Sequence, residues 1–129
     1  MAKQPKQLPL KPLEWVASSR TALVGFPKEV RKEFGHALHL AQAGEKSPCA
    51  KPLRGFGGAG VLESIANLAG NTYRVVYTVK FERAVFVLHA FQKKSKKGIA
   101  TPKSELDLIK RRLSAAAQMY QRLYENKQA

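Results

Sequence analysis

Thr72-Tyr73-Arg74-Val75-Val76-Tyr77-Thr78-Val79-Lys80 and Ala84-Val85-Phe86-Val87-Leu88-His89-Ala90-Phe91 are two runs of β-branched and aromatic residues, separated by Phe81-Glu82-Arg83. Such side chains are stiff at χ1 and pack well on a pleated surface. The pair therefore predicts two neighbouring antiparallel strands with a tight turn around Glu82-Arg83. A third run over Val61–Leu68, joined through Ala69-Gly70-Asn71, extends the hairpin to a meander. With a two-residue turn, Tyr73, Val75, Tyr77 and Val79 lie beside Phe86, Leu88 and Ala90, a core face for helices to cover. The opposite face is mixed, setting Arg74, Val76 and Thr78 against Val87, His89, Phe91 and Lys93, with Arg74 beside Phe91. A slip of one residue would move every side chain of a strand to the other face.

Outward from the meander, helical patterns appear on both sides. Leu13-Glu14-Trp15-Val16 reads as a short strand, and Ser18 or Ser19 caps a helix running to about Phe26. From Lys28 to about Ala43, Val30, Phe34, Ala37, Leu38 and Ala41 recur at helical spacing, and Gly44 supplies the stop. Residues 45–60, rich in Gly and Pro, read as an irregular connection carrying Lys51 and Arg54. Thr101-Pro102 predicts an N-cap followed by Pro at the first helical position. The helix it opens is long, with Leu106, Ile109, Leu113, Ala116, Ala117, Tyr120 and Leu123 on one stripe. The expected fold is α+β: a small antiparallel sheet packed by two N-terminal helices and a long C-terminal helix. Residues 1–11, with Pro5 and Pro9, read as a flexible basic arm, and residues 12–129 as a single domain.

The 129 residues carry 23 Lys+Arg against 9 Asp+Glu, a net charge of +14. That balance points to a polyanionic partner, nucleic acid first. No apolar run is long enough to span a bilayer, and the first dozen residues lack the apolar centre of a secretion signal. A lone Cys49 suits a reducing compartment, so a cytoplasmic location is expected.

Chemistry concentrates where the last strand meets Gln92-Lys93-Lys94-Ser95-Lys96-Lys97. Arg74 offers a guanidinium for phosphate, His89 an imidazole that titrates near neutrality, Phe91 a plane for base stacking, and Lys93 and Lys94 clustered ammoniums. Lys96 and Lys97 continue the block, either as further phosphate contacts or as solvating charge. RNA cleavage by an adjacent 2′-hydroxyl needs such parts: a group to take the hydroxyl proton, cations for the phosphorane, and an acid for the leaving 5′-oxygen. The same residues also fit a solvated basic strand end with a packed histidine. Neither cofactor nor metal is expected. Gly55 to Gly60 matches G-x-G-x-x-G but follows a loop and opens no helix, and His36 and His39 lack a third ligand.

This order of elements, with Tyr73-Arg74-Val75-Val76-Tyr77, Leu88-His89-Ala90-Phe91-Gln92-Lys93-Lys94 and Thr101-Pro102, resembles the RelE/ParE toxin superfamily in its phage-derived, HigB-like branch. The resemblance implies the toxin of a type II toxin–antitoxin system, a metal-independent endoribonuclease that cuts mRNA in the ribosomal A site and is held inactive by a cognate antitoxin, often with a helix-turn-helix domain. Carried over by position, Arg74 would grip the scissile phosphate, Lys51 and Arg54 would approach from the loop, Lys93 and Lys94 would stabilise charge, and His89 would carry a proton. Phe91 stands where such enzymes often place a Tyr, and it stacks without exchanging protons. ParE relatives keep the fold and inhibit DNA gyrase, so a gyrase inhibitor and a non-catalytic RNA-binding module stand beside the nuclease as alternatives.

Overall fold

In the computed structural model, which describes residues 9–58, 60–93 and 101–125, the chain runs through β1 (Leu13–Trp15), α1 (Ser19–Val24), α2 (Lys28–Gln42), β2 (Ala50–Pro52), β3 (Val61–Leu68), β4 (Asn71–Thr78), β5 (Val85–Lys93) and α3 (Lys103–Tyr120). A wider-wound helical turn, Gln121–Glu125, follows. The sheet order is β1-β5-β4-β3-β2. Strands β2 to β5 are antiparallel neighbours, whereas β1 lies parallel to β5 at one edge. The sheet is thus mixed, not antiparallel throughout as expected. No hairpin ties β1 to β5, so nothing in the local sequence fixes their relative direction.

The register of β4 on β5 agrees with the hairpin reading over half its length: Arg74 faces Phe91, Val75 faces Ala90 and Val76 faces His89. Nearer the turn, Tyr77 pairs with Val87 and Thr78 with Phe86, which leaves Leu88 as a bulged residue with no partner opposite. The bulge reverses the phase of β5. Val85 and Val87 therefore join Tyr73, Val75, Tyr77 and Ala90 in the cluster with Leu23 of α1 and Val30, Phe34 and Leu38 of α2. Phe86 and Leu88 pack instead with Val76, Phe91 and the α3 residues Ile109, Ala116 and Tyr120. The expected placements of Phe86, Leu88 and Val87 are each corrected by this one extra residue. The tight turn is corrected too, because six residues, 79–84, separate the strands. A two-residue hairpin turn needs positive φ at its centre, which Glu82-Arg83 does not favour. Val79 consequently leaves the core and is 37% exposed.

Both faces of the sheet are covered, one by α1 and α2 and the other by α3. Val30, Phe34, Ala37, Leu38 and Ala41 of α2 are all buried, as their spacing predicts. Each large side chain among them stabilises the fold by about 1.5–3 kcal/mol. Gly44 takes φ +83; its N–H donates to the Ala41 carbonyl at 3.0 Å and that of Glu45 to Leu40 at 2.8 Å, a Schellman stop. On α3, Ile109, Ala116 and Tyr120 are buried, but Leu123 is 51% exposed, because the widened turn rotates it off the stripe.

Three further expectations change. The connection 45–60 contains β2, whose three residues pair with Leu62, Glu63 and Ser64. The N-cap of α3 is Pro102 rather than Thr101. At the end of the expected basic arm, Lys11 is docked: its N–H donates to the Gln42 carbonyl at 2.9 Å, and Gln42 Nε2 donates back to its carbonyl at 2.8 Å. Residues 1–8 of that arm lie outside the described residues.

Candidate functional site

The register fixes which side chains share the α3 side of the sheet. Lys51, Glu63, Val76 and His89 form one row across β2 to β5, Ile65, Arg74 and Phe91 the next, and Asn67, Thr72 and Lys93 the third. Arg74 is thus diagonal to Glu63 on one side and to His89 and Lys93 on the other.

Arg74, only 6% exposed, is held by an ion pair with Glu63. Its Nη1 donates to Glu63 Oε2 at 2.9 Å and to Thr101 Oγ1 at 3.1 Å. Thr101 Oγ1 in turn donates to the same Glu63 oxygen at 2.8 Å. The hydroxyl expected to cap α3 is used here instead, and that is why the cap passes to Pro102. A buried carboxylate is tolerated only when paired and hydrogen-bonded, and this triad meets both conditions.

Above the triad opens a cavity of about 290 Å³. Glu63, Arg74 and Thr101 contribute polar lining, Pro52, Leu53 and Leu106 apolar lining, and the exposed Lys51 and Arg54 complete it with cationic side chains. Lys51 does not approach from a loop but sits on β2 directly opposite Glu63. In the Gly-rich segment, the half-buried Phe56 carries the Lys110 ammonium 6.0 Å from its ring centroid.

His89 belongs to a neighbouring network rather than to the lining of this cavity. Its ring stacks on Phe91 with centroids 4.7 Å apart. Nε2 lies 2.6 Å from Glu105 Oε1, and Nδ1 lies 3.3 Å from Arg112 Nη1. Because a guanidinium only donates, Nδ1 must accept and Nε2 must carry the proton toward Glu105. Burial pushes the imidazole below its usual value, and the Arg112 charge adds to this; Glu105 pulls in the opposite direction without overcoming burial. The neutral ring is therefore the stable form.

Of the residues singled out from sequence, Lys51, Arg54 and Arg74 meet at one cavity, and His89, Phe91 and Lys93 flank it on β5. Lys94, Lys96 and Lys97 lie outside the described residues. Glu63, Thr101, Glu105 and Arg112 were not anticipated as partners. Glu63 had a signal: a lone carboxylate within the apolar run Val61-Leu62-Glu63-Ser64-Ile65 of a basic chain calls for a buried cation. His36 and His39 are both exposed on α2, and among the described residues no group of three or more His, Cys, Asp or Glu could hold a metal ion. Among the same residues, no helix is long and apolar enough to cross a membrane.

Residues 21–114 match the family model described as Phage derived protein Gp49-like (DUF891). The chain belongs to this phage-derived Gp49-like family. No curated protein matches it. Among solved structures it is similar to a chain in the crystal structure of the toxin–antitoxin complex RelBE2 from Mycobacterium tuberculosis, at 20% identity and a TM-score of 0.44, over 67% of this chain and 94% of that one.

Proposed function

We propose that this chain is the toxin of a type II toxin–antitoxin pair, in the HigB-like branch, and that it cuts mRNA in the ribosomal A site. The observation that carries this reading is the cationic cavity: Lys51 and Arg54 line it with exposed charge, Arg74 adds buried charge, and Lys93 stands diagonal to Arg74 on the same face. Attack of a 2′-oxygen on the adjacent phosphorus forms a 2′,3′-cyclic phosphate and expels the 5′-oxygen, which takes up a proton. The negative charge that builds on the non-bridging oxygens is met by these cations, with Lys94 following Lys93 in the chain. His89 serves as proton carrier only when Glu105 lets go of Nε2. The cognate antitoxin blocks the site by laying an acidic segment over the same cations.

Toeprinting on programmed ribosomes tests the reading. Wild-type protein is expected to cut at the A-site codon, and the surface variant Lys51→Ala/Arg54→Ala to lose at least tenfold in cutting; intact message with wild-type protein overturns it. One observation favours a second reading, an RNA-binding module without catalysis: His89 is engaged at both ring nitrogens by α3. That reading expects salt-sensitive RNA binding with the strand left whole.

A further inference from the structure

We infer that the cavity over the Glu63–Arg74–Thr101 triad reads a guanine base, with Glu63 as the selecting group; the inference rests on the RNA-binding reading above. Glu63 holds Arg74 in place, but its anionic oxygens would repel a phosphate lodged beside them in the cavity. Glu63 is nevertheless fixed there, 8% exposed and placed in the cavity lining beside three apolar side chains.

The hydrogen bonds of the carboxylate are lopsided. Arg74 and Thr101 both bond Oε2, and among the described residues nothing bonds Oε1. An ionised carboxylate oxygen has room for two donors. Directly across the ladder from Glu63 stands Lys51, an ammonium that only donates. The cavity thus offers an acceptor for two N–H groups next to a donor for one carbonyl. Guanine carries the complement on its Watson–Crick edge: N1–H and the 2-amino group side by side, with O6 adjacent. Adenine and cytosine present one amino group next to a bare ring nitrogen. Uracil presents one N–H between two carbonyls, both of which would face the carboxylate.

The remaining walls suit a base as well. Pro52, Leu53 and Leu106 give apolar surface for the ring faces. A volume of about 290 Å³ is at the small end for a ligand pocket. Arg54, an exposed cation of the lining, is available to the attached phosphate. Arg74 and Thr101 act here as positioning residues: by saturating Oε2 they turn the other oxygen to the ligand.

Titration calorimetry of the full chain with 5′-GMP, IMP, AMP and UMP tests this. GMP is expected to bind tightest, UMP weakest, and IMP, which differs from GMP only by the 2-amino group, about tenfold more weakly than GMP. Glu63→Gln, checked for folding by circular dichroism, is expected to erase the difference between GMP and IMP. If that variant does not fold, the comparison on wild-type protein decides alone. Equal binding of GMP, IMP and UMP overturns the inference, as does no binding of GMP by protein that binds a mixed-sequence oligoribonucleotide; in either case RNA binding itself still stands. Failure to bind both GMP and the oligonucleotide overturns both readings.

Discussion

At the scale of single residues, the decisive pair is a guanidinium and a carboxylate whose side chains are only 8% and 10% exposed. Removing one partner strands the other charge out of water. Arg74→Met is expected to cost about 3–5 kcal/mol, while Arg74→Met/Glu63→Leu recovers most of that loss, because an apolar pair of similar volume needs no desolvated charge. Urea denaturation of the two variants and wild type checks both statements. His89 gives a second test. Its folded-state value lies below the ordinary 6.5, so the unfolded chain binds the proton more readily. The contribution of the neutral ring to stability is complete above that ordinary value and falls away as the pH drops below it. Wild-type stability is expected to decline between pH 7 and pH 5 more steeply than that of His89→Phe. The pairing of Arg74 with Phe91 agrees with the register drawn from an assumed two-residue turn, although six residues separate the strands. The lone carboxylate of Glu63 in an apolar run signals a buried cation, but which cation it meets is fixed only by the register of β3 on β4.

At the scale of elements, the bulge at Leu88 organises the docking of α3. The residue has no partner opposite on β4, and its carbonyl accepts from Arg112 Nη1 at 3.0 Å. Arg112 also reaches Ser18 Oγ at 3.2 Å, tying α3 to the start of α1. Arg112→Ala is expected to destabilise by about 2 kcal/mol, since a carbonyl loses a charged donor. Gly60 marks a second tight point: it has φ +65, and a Cβ there would lie 3.2 Å from the Lys80 backbone nitrogen. Gly60→Ala is expected to cost about 1–2 kcal/mol from the left-handed backbone alone, with the close contact adding to it. Thermal melts of both variants check these values. Sequence patterning reproduced β3 and α2 almost to the residue because their apolar spacing is long and regular. It failed on the phase of β5 because every residue from Val85 to Leu88 is apolar, so the run shows no alternation that could betray an inserted residue.

At the scale of the whole molecule, a net charge of +14 is carried on a sheet covered on both faces, which leaves edges and loops, rather than an open strand surface, for the RNA binding proposed above. Binding should weaken linearly in log–log fashion with salt. Arg54→Ala is expected to reduce that slope by about 0.7 for a single strand, the share of one phosphate contact. Filter binding across a salt series measures it. The covering of both faces was hidden from the sequence for the same reason as the phase of β5. With Phe86 and Leu88 assigned to the single expected core face, the opposite face read as mixed and showed no second core.

The cavity is assembled from three stretches that the chain supplies at different times: 51–54, then Glu63 and Arg74, and last Thr101 and Leu106. A nascent chain stopped after β5 would carry the cations but neither the hydroxyl that bonds Glu63 and Arg74 nor the Leu106 wall. A chain cut short of Leu106 therefore cannot close the cavity, whatever ligand it takes.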